Sequence, residues 1–321
     1  MPAPLISPRE RVLDVDGPLH VSEWEGDPER TFVCLAGLGG SAASWLPVGA
    51  GLSERGRVLA PELPGSGRTP RNGRGSTLLN HRRVISRIIS EHATGEVILV
   101  GNSLGGALAL IQAAFEPRSA RALVLTDPAL PWALGALPSP LVMAGFGLYL
   151  MPGVGEWVVR RRLSEGLAER MVALGLRLCA ADASSIAPEV VRAHVESVRA
   201  RQADPDAAVA FVSSARSLLQ LGMRPELCRR ILAALTCPAL LLHGAKDRFV
   251  PLRFAERAAE RQPLLELRVF PDLGHVPQLE APERWLDAVG DWLDGLQQSR
   301  GGHSGVDPDD GHSIDRSYAA G

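Results

Sequence analysis

An α/β fold with a mostly parallel sheet and helices on both faces is what this chain predicts, and three observations carry the prediction. Short β-favouring runs alternate with segments of helical spacing through residues 31–126 and again through 237–296. Ser103, Asp127, Asp247 and His275 each follow such a run, at its carboxyl end or in the loop beyond it. Residues 128–230 interrupt the rhythm with helical spacing alone. Strand–helix alternation implies right-handed crossovers and parallel pairing, and such sheets bind ligands beyond the carboxyl ends of their strands.

The elements follow in order. Residues 11–15 and 19–25 alternate around the turn signal Asp16-Gly17-Pro18, which predicts an antiparallel hairpin opening the sheet. Residues 31–35 (TFVCL) read as a buried strand entering the loop Ala36-Gly37-Leu38-Gly39-Gly40-Ser41, with Trp45 as core at the start of the next helix. A short strand at 57–60 precedes a Gly/Pro/Arg-rich loop that continues to Gly75. Leu78, Leu79, Val84, Ile85, Ile88 and Ile89 recur at helical spacing, which places His81 and His92 on a helix as packing or surface residues. Residues 97–110 (VILVGNSLGGALAL) read as strand, sharp turn and helix, and 122–126 as the next strand. Beyond the helical stretch come a strand at 237–243, a helix at 252–261, a strand at 265–270 and a closing helix at 282–296 bearing Trp285 and Trp292.

Within the helical stretch, residues 129–155 carry no charge, and 141–151 (LVMAGFGLYLM) are almost wholly apolar. Pro131, Pro138, Pro140 and Pro152 cut this run short of the ~20 residues a membrane span needs, so it predicts a buried or interfacial helix. Further helices are expected at 156–178, 188–202 and 211–221. The organisation that follows is a core at 1–127 and 231–298, a helical insertion at 128–230 packed over the sheet, and a Gly/Asp/Ser-rich tail at 299–321. The tail is expected to be disordered, its His303 and His312 solvated.

Composition narrows the function. With 321 residues, 45% of them hydrophobic and 22% charged, the chain can bury a large core. A net charge of −2 gives no footprint for nucleic acid or an acidic membrane. Cys34, Cys179, Cys228 and Cys237 are scattered without Cys-x-x-Cys or metal-ligand spacing, so they read as small apolar residues in a reducing compartment. No metal, no cofactor and no transmembrane segment are expected. The N-terminal residues lack an apolar h-region, which makes a cytoplasmic location the expectation. A small-molecule substrate remains as partner; monomer and homodimer stay open.

Glycines flank Ser103 in the pattern Gly-x-Ser-x-Gly, as a serine on a strained strand-to-helix turn requires. A phosphate-binding loop is the alternative, but the Gly-Lys-Ser/Thr end of a P-loop is missing. The chain order of a serine, an acid after a later strand and a histidine after the last strand resembles the α/β-hydrolase family. The segments that carry the resemblance are LAGLGGSAASW, PELPGSGRT, VGNSLGG, LLHGAKDRFVP and DLGHVPQLEAPE, and together they span nearly the whole chain to Leu296.

The resemblance implies an eight-stranded sheet with a helical cap between strands six and seven. It also implies Ser103 as nucleophile, His275 as general base, Asp247 as the acid orienting it, and the backbone N–H groups of Leu38 and Leu104 as the oxyanion hole. Asp127 is the rival acid; Gly-x-x-Asp before an apolar-Pro step favours Asp247 and leaves Asp127 as a loop-capping residue. Two departures from the family pattern stand out. Ala36-Gly37 replaces the common His-Gly, and Glu62 replaces the common Asp, with Arg68 as its expected partner.

A serine at the elbow argues against the dehalogenase and epoxide hydrolase branches, which use aspartate there. The expected activity is hydrolysis of a carboxylic ester of a small, hydrophobic substrate through an acyl-enzyme. Second comes a C–C bond hydrolase for vinylogous diketones: GNSLGG resembles that branch, but Val276 stands where its tryptophan follows the histidine. Perhydrolases and thioesterases share the motifs, and a noncatalytic ligand-binding protein is the alternative of another class. Arg160, Arg161 and Arg162 read as a solvated basic patch, with recognition of a substrate carboxylate as the alternative.

Overall fold

The computed structural model describes residues 6–129, 145, 147–149, 151–163 and 167–301. The helix expected over 141–151 lies largely outside these, and the tail beyond 301 wholly so. Eight strands form one sheet: β1 Arg9–Asp14, β2 Pro18–Trp24, β3 Arg30–Leu35, β4 Arg57–Pro61, β5 Glu96–Asn102, β6 Ala122–Thr126, β7 Ala239–Gly244 and β8 Leu265–Phe270. Their order is β1-β2-β4-β3-β5-β6-β7-β8, with β2 antiparallel to both neighbours and β4 through β8 parallel. The chain steps from β3 to β4 in one direction and returns to place β5 on the other side of β3. Beyond the carboxyl ends of β3 and β5 lies the crevice that such a reversal creates.

Alternation along the strands feeds two cores. Val33, Leu35, Leu99, Leu123 and Leu241 face one side, under α2 Leu78–His92, α3 Leu104–Phe115 and α9 Leu252–Arg261. Phe32, Cys34, Val100, Val124 and Leu242 face the other, under α1 Leu46–Ser53 and α11 Pro282–Gly301. Trp45 and Trp285 are fully buried there, rings 6.2 Å apart, and Trp285 Nε1 donates to Thr126 Oγ1 at the end of β6. Thr77 and Asn80 form a reciprocal cap at the start of α2. On that helix His81 is buried against Ser214 Oγ at 3.0 Å, and burial pushes its pKa down to about 4, so it packs as a neutral ring.

Between β6 and β7 the described elements are helical: α4 Val154–Arg162, α5 Ala168–Cys179, α6 Pro188–Gln202, α7 Ala207–Gly222 and α8 Pro225–Ala233. The single helix expected over 156–178 is two, ending at Arg162 and restarting at Ala168; Gly166, a poor helix former, stands between them in the sequence. Helix α8 was not foreseen. It opens with Pro225 at its first position and runs across residue 230, placing Cys228 and Leu232 in the sheet core. A further short helix, α10 Pro277–Glu280, precedes α11, which extends to Gly301, past the point at which the tail is expected to begin.

All four cysteines are free, and burial raises each thiol: Cys237 to about 11, Cys179 and Cys228 to about 12, and Cys34 further. No described helix is long and apolar enough to cross a membrane.

Candidate active site

Ser103 joins β5 to α3 with φ 54° and ψ −115°, a conformation that L-residues occupy only when their surroundings impose it. The imposition is close packing of the turn against β3. A Cβ on Gly105 would lie 1.9 Å from the carbonyl oxygen of Leu35, so only glycine lets α3 start there. Ser103 N donates to Thr126 O at 3.0 Å, fixing the turn to the end of β6.

The loop after β3 runs alongside. A Cβ on Gly37 would sit 3.2 Å from Ser103 Cβ, and Gly40 N closes the turn onto Gly37 O at 2.9 Å. Leu38 lines the cavity described below, and Leu38 and Leu104 border one small adjoining cleft. Leu104 opens α3, so its N–H has no acceptor within the helix. Glu62 stands as expected: its Oε2 accepts from Arg68 N at 2.7 Å and from Arg68 Nε at 3.3 Å.

Asp247 and His275 meet at 2.6 Å, Oδ2 to Nδ1. Oδ1 of the same carboxylate accepts from Phe249 N at 2.7 Å and Val250 N at 3.1 Å. Burial pushes the Asp247 pKa up, but the charge and hydrogen bond of His275 and the loop N–H groups outweigh it and hold the carboxyl below its ordinary value. In the neutral ring that gives Nδ1–H to the carboxylate, Nε2 is the nitrogen that carries the lone pair. The His275 backbone is held from two sides: its N donates to Cys179 O at 2.7 Å, and its O accepts from Asn102 Nδ2 at 3.0 Å.

Asp127 takes a different place. It is fully buried with φ 41°, and its Oδ1 accepts from Gly244 N at 2.9 Å, tying the end of β6 to the end of β7 rather than capping its own loop. Burial, and next the Asp247 charge, raise its pKa well above the ordinary value. Asp127, His243 and Asp247 bring ligand-type atoms within 4.8 Å of one another; each is engaged through at least one atom, while Asp127 Oδ2 and His243 Nδ1 are buried with no hydrogen-bond partner among the described residues. Asp247 holds His275, Asp127 holds Gly244 N, and His243 Nε2 donates to Val250 O at 3.0 Å.

Ser103 and His275 open onto a cavity of about 430 Å³ that lies between the strand-end loops and the helical block. Val172, Leu176, Phe211 and Leu218 give it an apolar wall. Tyr149, from the apolar stretch, adds an edge-on ring contact to Phe211 at 5.4 Å. Arg160, Arg161 and Arg162 are all exposed; Arg162 also reaches the cavity rim and donates to Tyr149 Oη at 3.0 Å.

Sequence reasoning missed three residues that shape this site. Asn102 pins the His275 loop to the elbow strand. Glu280 accepts from Gly274 N at 2.8 Å, Ala181 N at 2.7 Å and Asp182 N at 3.2 Å, locking the same loop to the helical block. Arg201 lines the cavity from α6. Arg201 carried a signal: with Val190, His194 and Val198 it falls on the inward stripe of its helix.

Comparison with known proteins agrees with this architecture. The 2-hydroxy-6-oxononadienedioate/2-hydroxy-6-oxononatrienedioate hydrolase of Cupriavidus pinatubonensis is 26% identical over 292 residues, covering 87% of this chain and 92% of that protein. A thermophilic esterase from Thermogutta terrifontis has a similar structure at a TM-score of 0.66 and 22% identity, over 90% of this chain and 99% of that one. A mutant haloalkane dehalogenase from Agrobacterium tumefaciens is similar at 0.73 and 22%, over 90% and 97%. Residues 32–288 match the profile of the alpha/beta hydrolase family, and this chain belongs to that family.

Proposed function

We propose that this protein is a serine hydrolase that cleaves a carboxylic ester of a small, largely hydrophobic substrate through an acyl-enzyme. The observation that carries the reading is the Asp247–His275 hydrogen bond of 2.6 Å, set in the wall of the same cavity as the strained Ser103. Ser103 attacks the ester carbonyl while His275 Nε2 takes its proton, and Asp247 stabilises the imidazolium. The proton then passes to the leaving alcohol, and water repeats the sequence on the acyl-enzyme. Backbone N–H groups of Leu38 and Leu104 receive the developing oxyanion, each contributing about 2.7–4 kcal/mol to the barrier reduction. The helices between β6 and β7 serve as a cap that closes the cavity over the serine. Four free cysteines with no disulfide between them support a cytoplasmic location.

Turnover of p-nitrophenyl acetate, butyrate and octanoate, with fluorophosphonate labelling, tests the reading against Ser103→Ala. Labelling and turnover that vanish with the serine are expected. A wild-type protein inert to both overturns it and leaves a noncatalytic binding protein. The GNSLGG elbow and the Cupriavidus relative, whose name describes hydrolysis of a 2-hydroxy-6-oxo dienedioate, favour C–C hydrolysis as the second reading. A vinylogous diketone consumed faster than every ester would replace the first reading by the second.

A further inference from the structure

Helix α6 turns a polar stripe into the cavity. His194, Ser197 and Arg201, at helical spacing, all line it. His194 directs Nδ1 to its own helix at Val190 O, 2.8 Å away, and burial pushes its pKa down, so it is a neutral group. Arg201 is different in kind. Only 8% of it is exposed, and its Nε is sealed from solvent with no hydrogen-bond partner among the described residues.

A guanidinium has five donors and no means of becoming neutral near pH 7, so burying it without an anion costs several kcal/mol. Burial pushes the Arg201 pKa down to about 10, and the carboxylate whose field opposes this is Glu62, itself bonded to Arg68. Among the described residues that line the cavity there is no Asp or Glu, whereas Arg201 and Arg162 both do so. Among its described lining residues the cavity therefore carries positive charge and no carboxylate. Arg201 also stands against the loop beside the serine: a Cβ on Gly39 would lie 3.3 Å from Arg201 Nη1, and Gly37 of that loop is in contact range of Ser103.

We propose that Arg201 is an anion-binding residue of this cavity and that the substrate is a small ester bearing a carboxylate, such as the half-ester of a dicarboxylic acid. The carboxylate supplies the counter-charge that Arg201 lacks, in a bidentate pair suited to the guanidinium fork. The apolar wall takes the methylene chain between carboxylate and ester. The ester part of this proposal rests on the hydrolase reading; the anion site does not.

Two measurements separate them. In the first, mono-p-nitrophenyl glutarate and adipate are compared with p-nitrophenyl pentanoate and hexanoate, and 4-carboxyphenyl butyrate with phenyl butyrate. The wild type is expected to prefer a carboxylate-bearing member by about 10–100-fold in kcat/KM, mainly through KM, the favoured pair telling which side of the ester carries the charge. Arg201→Met should bring the ratio near unity, and Arg201→Lys should restore part of it.

In the second, binding of adipate and of its neutral diamide is followed by calorimetry. Adipate should bind the wild type, and neither the diamide nor Arg201→Met should give a signal. Turnover without carboxylate preference in the wild type overturns the proposal and leaves the hydrolase reading intact. Arg201-dependent adipate binding without any ester turnover does the reverse. Should Arg201→Met fail to fold, the wild-type ratios decide alone. A higher Tm for Arg201→Met than for the wild type is expected, because an unpaired buried charge is removed; a lower one would mark a structural arginine and count against the proposal.

Discussion

The strand-end loops and the helical block face each other across one cavity, and they hold their side chains by different means. In the loops, backbone sets position: Ser103 is fixed by its own torsion angles and by glycines that admit close approach, and Asp247 by the N–H groups of Phe249 and Val250. In the helical block, position comes from packing, with Val190, Val195 and Val198 burying one side of α6 and so deciding which polar residues turn inward. The contrast assigns different duties. On the proposed reading, rigid loops suit a reaction whose geometry is the same for every ester, and a packed helical wall can change side chains without disturbing it.

The sharpest way to break that division is His275→Ala, expected to lower kcat by on the order of 10⁶-fold in a protein that stays folded but unfolds at lower urea, because the buried Asp247 loses its partner. A loss confined to KM would mean that the loops bind rather than react. Gly105→Ala attacks the backbone side: its methyl meets the Leu35 carbonyl at 1.9 Å, and stability measured by urea unfolding should fall by about 3 kcal/mol. Glu280→Ala tests the seam between the regions. Three N–H groups lose a charged acceptor, for a stability loss of about 2 kcal/mol and a fall in kcat that exceeds any rise in KM.

Asp127→Asn is the mildest and sharpens the electrostatic side. A carboxyl whose pKa is raised on folding binds more protons in the folded state, so its contribution to stability is present below the unfolded pKa and is lost as pH rises through the folded one. Asn keeps the acceptor for Gly244 N without that titration. Stability curves from pH 4 to 9 should therefore fall less steeply with pH for the variant than for the wild type. Asp247, held low by His275, works in the opposite sense and loses its contribution as pH falls.

The same contrast explains what could be read from the chain. Strand-end residues announce themselves in short motifs, because Gly101, Gly105 and the Gly244-to-Asp247 turn are local requirements of the backbone. Helices α6 and α9 and strand β8 fall on the expected residues for a related reason: their periodicity is strong and proline or glycine marks their ends. Arg201 was harder, since in VRARQ it looks like its neighbour Arg199, which is exposed and pairs with Glu169. What separates them is the burial of α6, a tertiary property. Asn102 and Glu280 escaped likewise, each bonding across long stretches of chain.

The suspension of the His275 loop from the helical block has a consequence for engineering. Gly274 packs so tightly on α5 that a Cβ would stand 2.4 Å from Cys179 O, and His275 N bonds to that same oxygen. The block is thus no detachable module to be traded between relatives for a new pocket. A graft that brings in foreign helices must also bring a carbonyl at the Cys179 position and two N–H groups for Glu280, or the recipient inherits a pocket without the base proposed above.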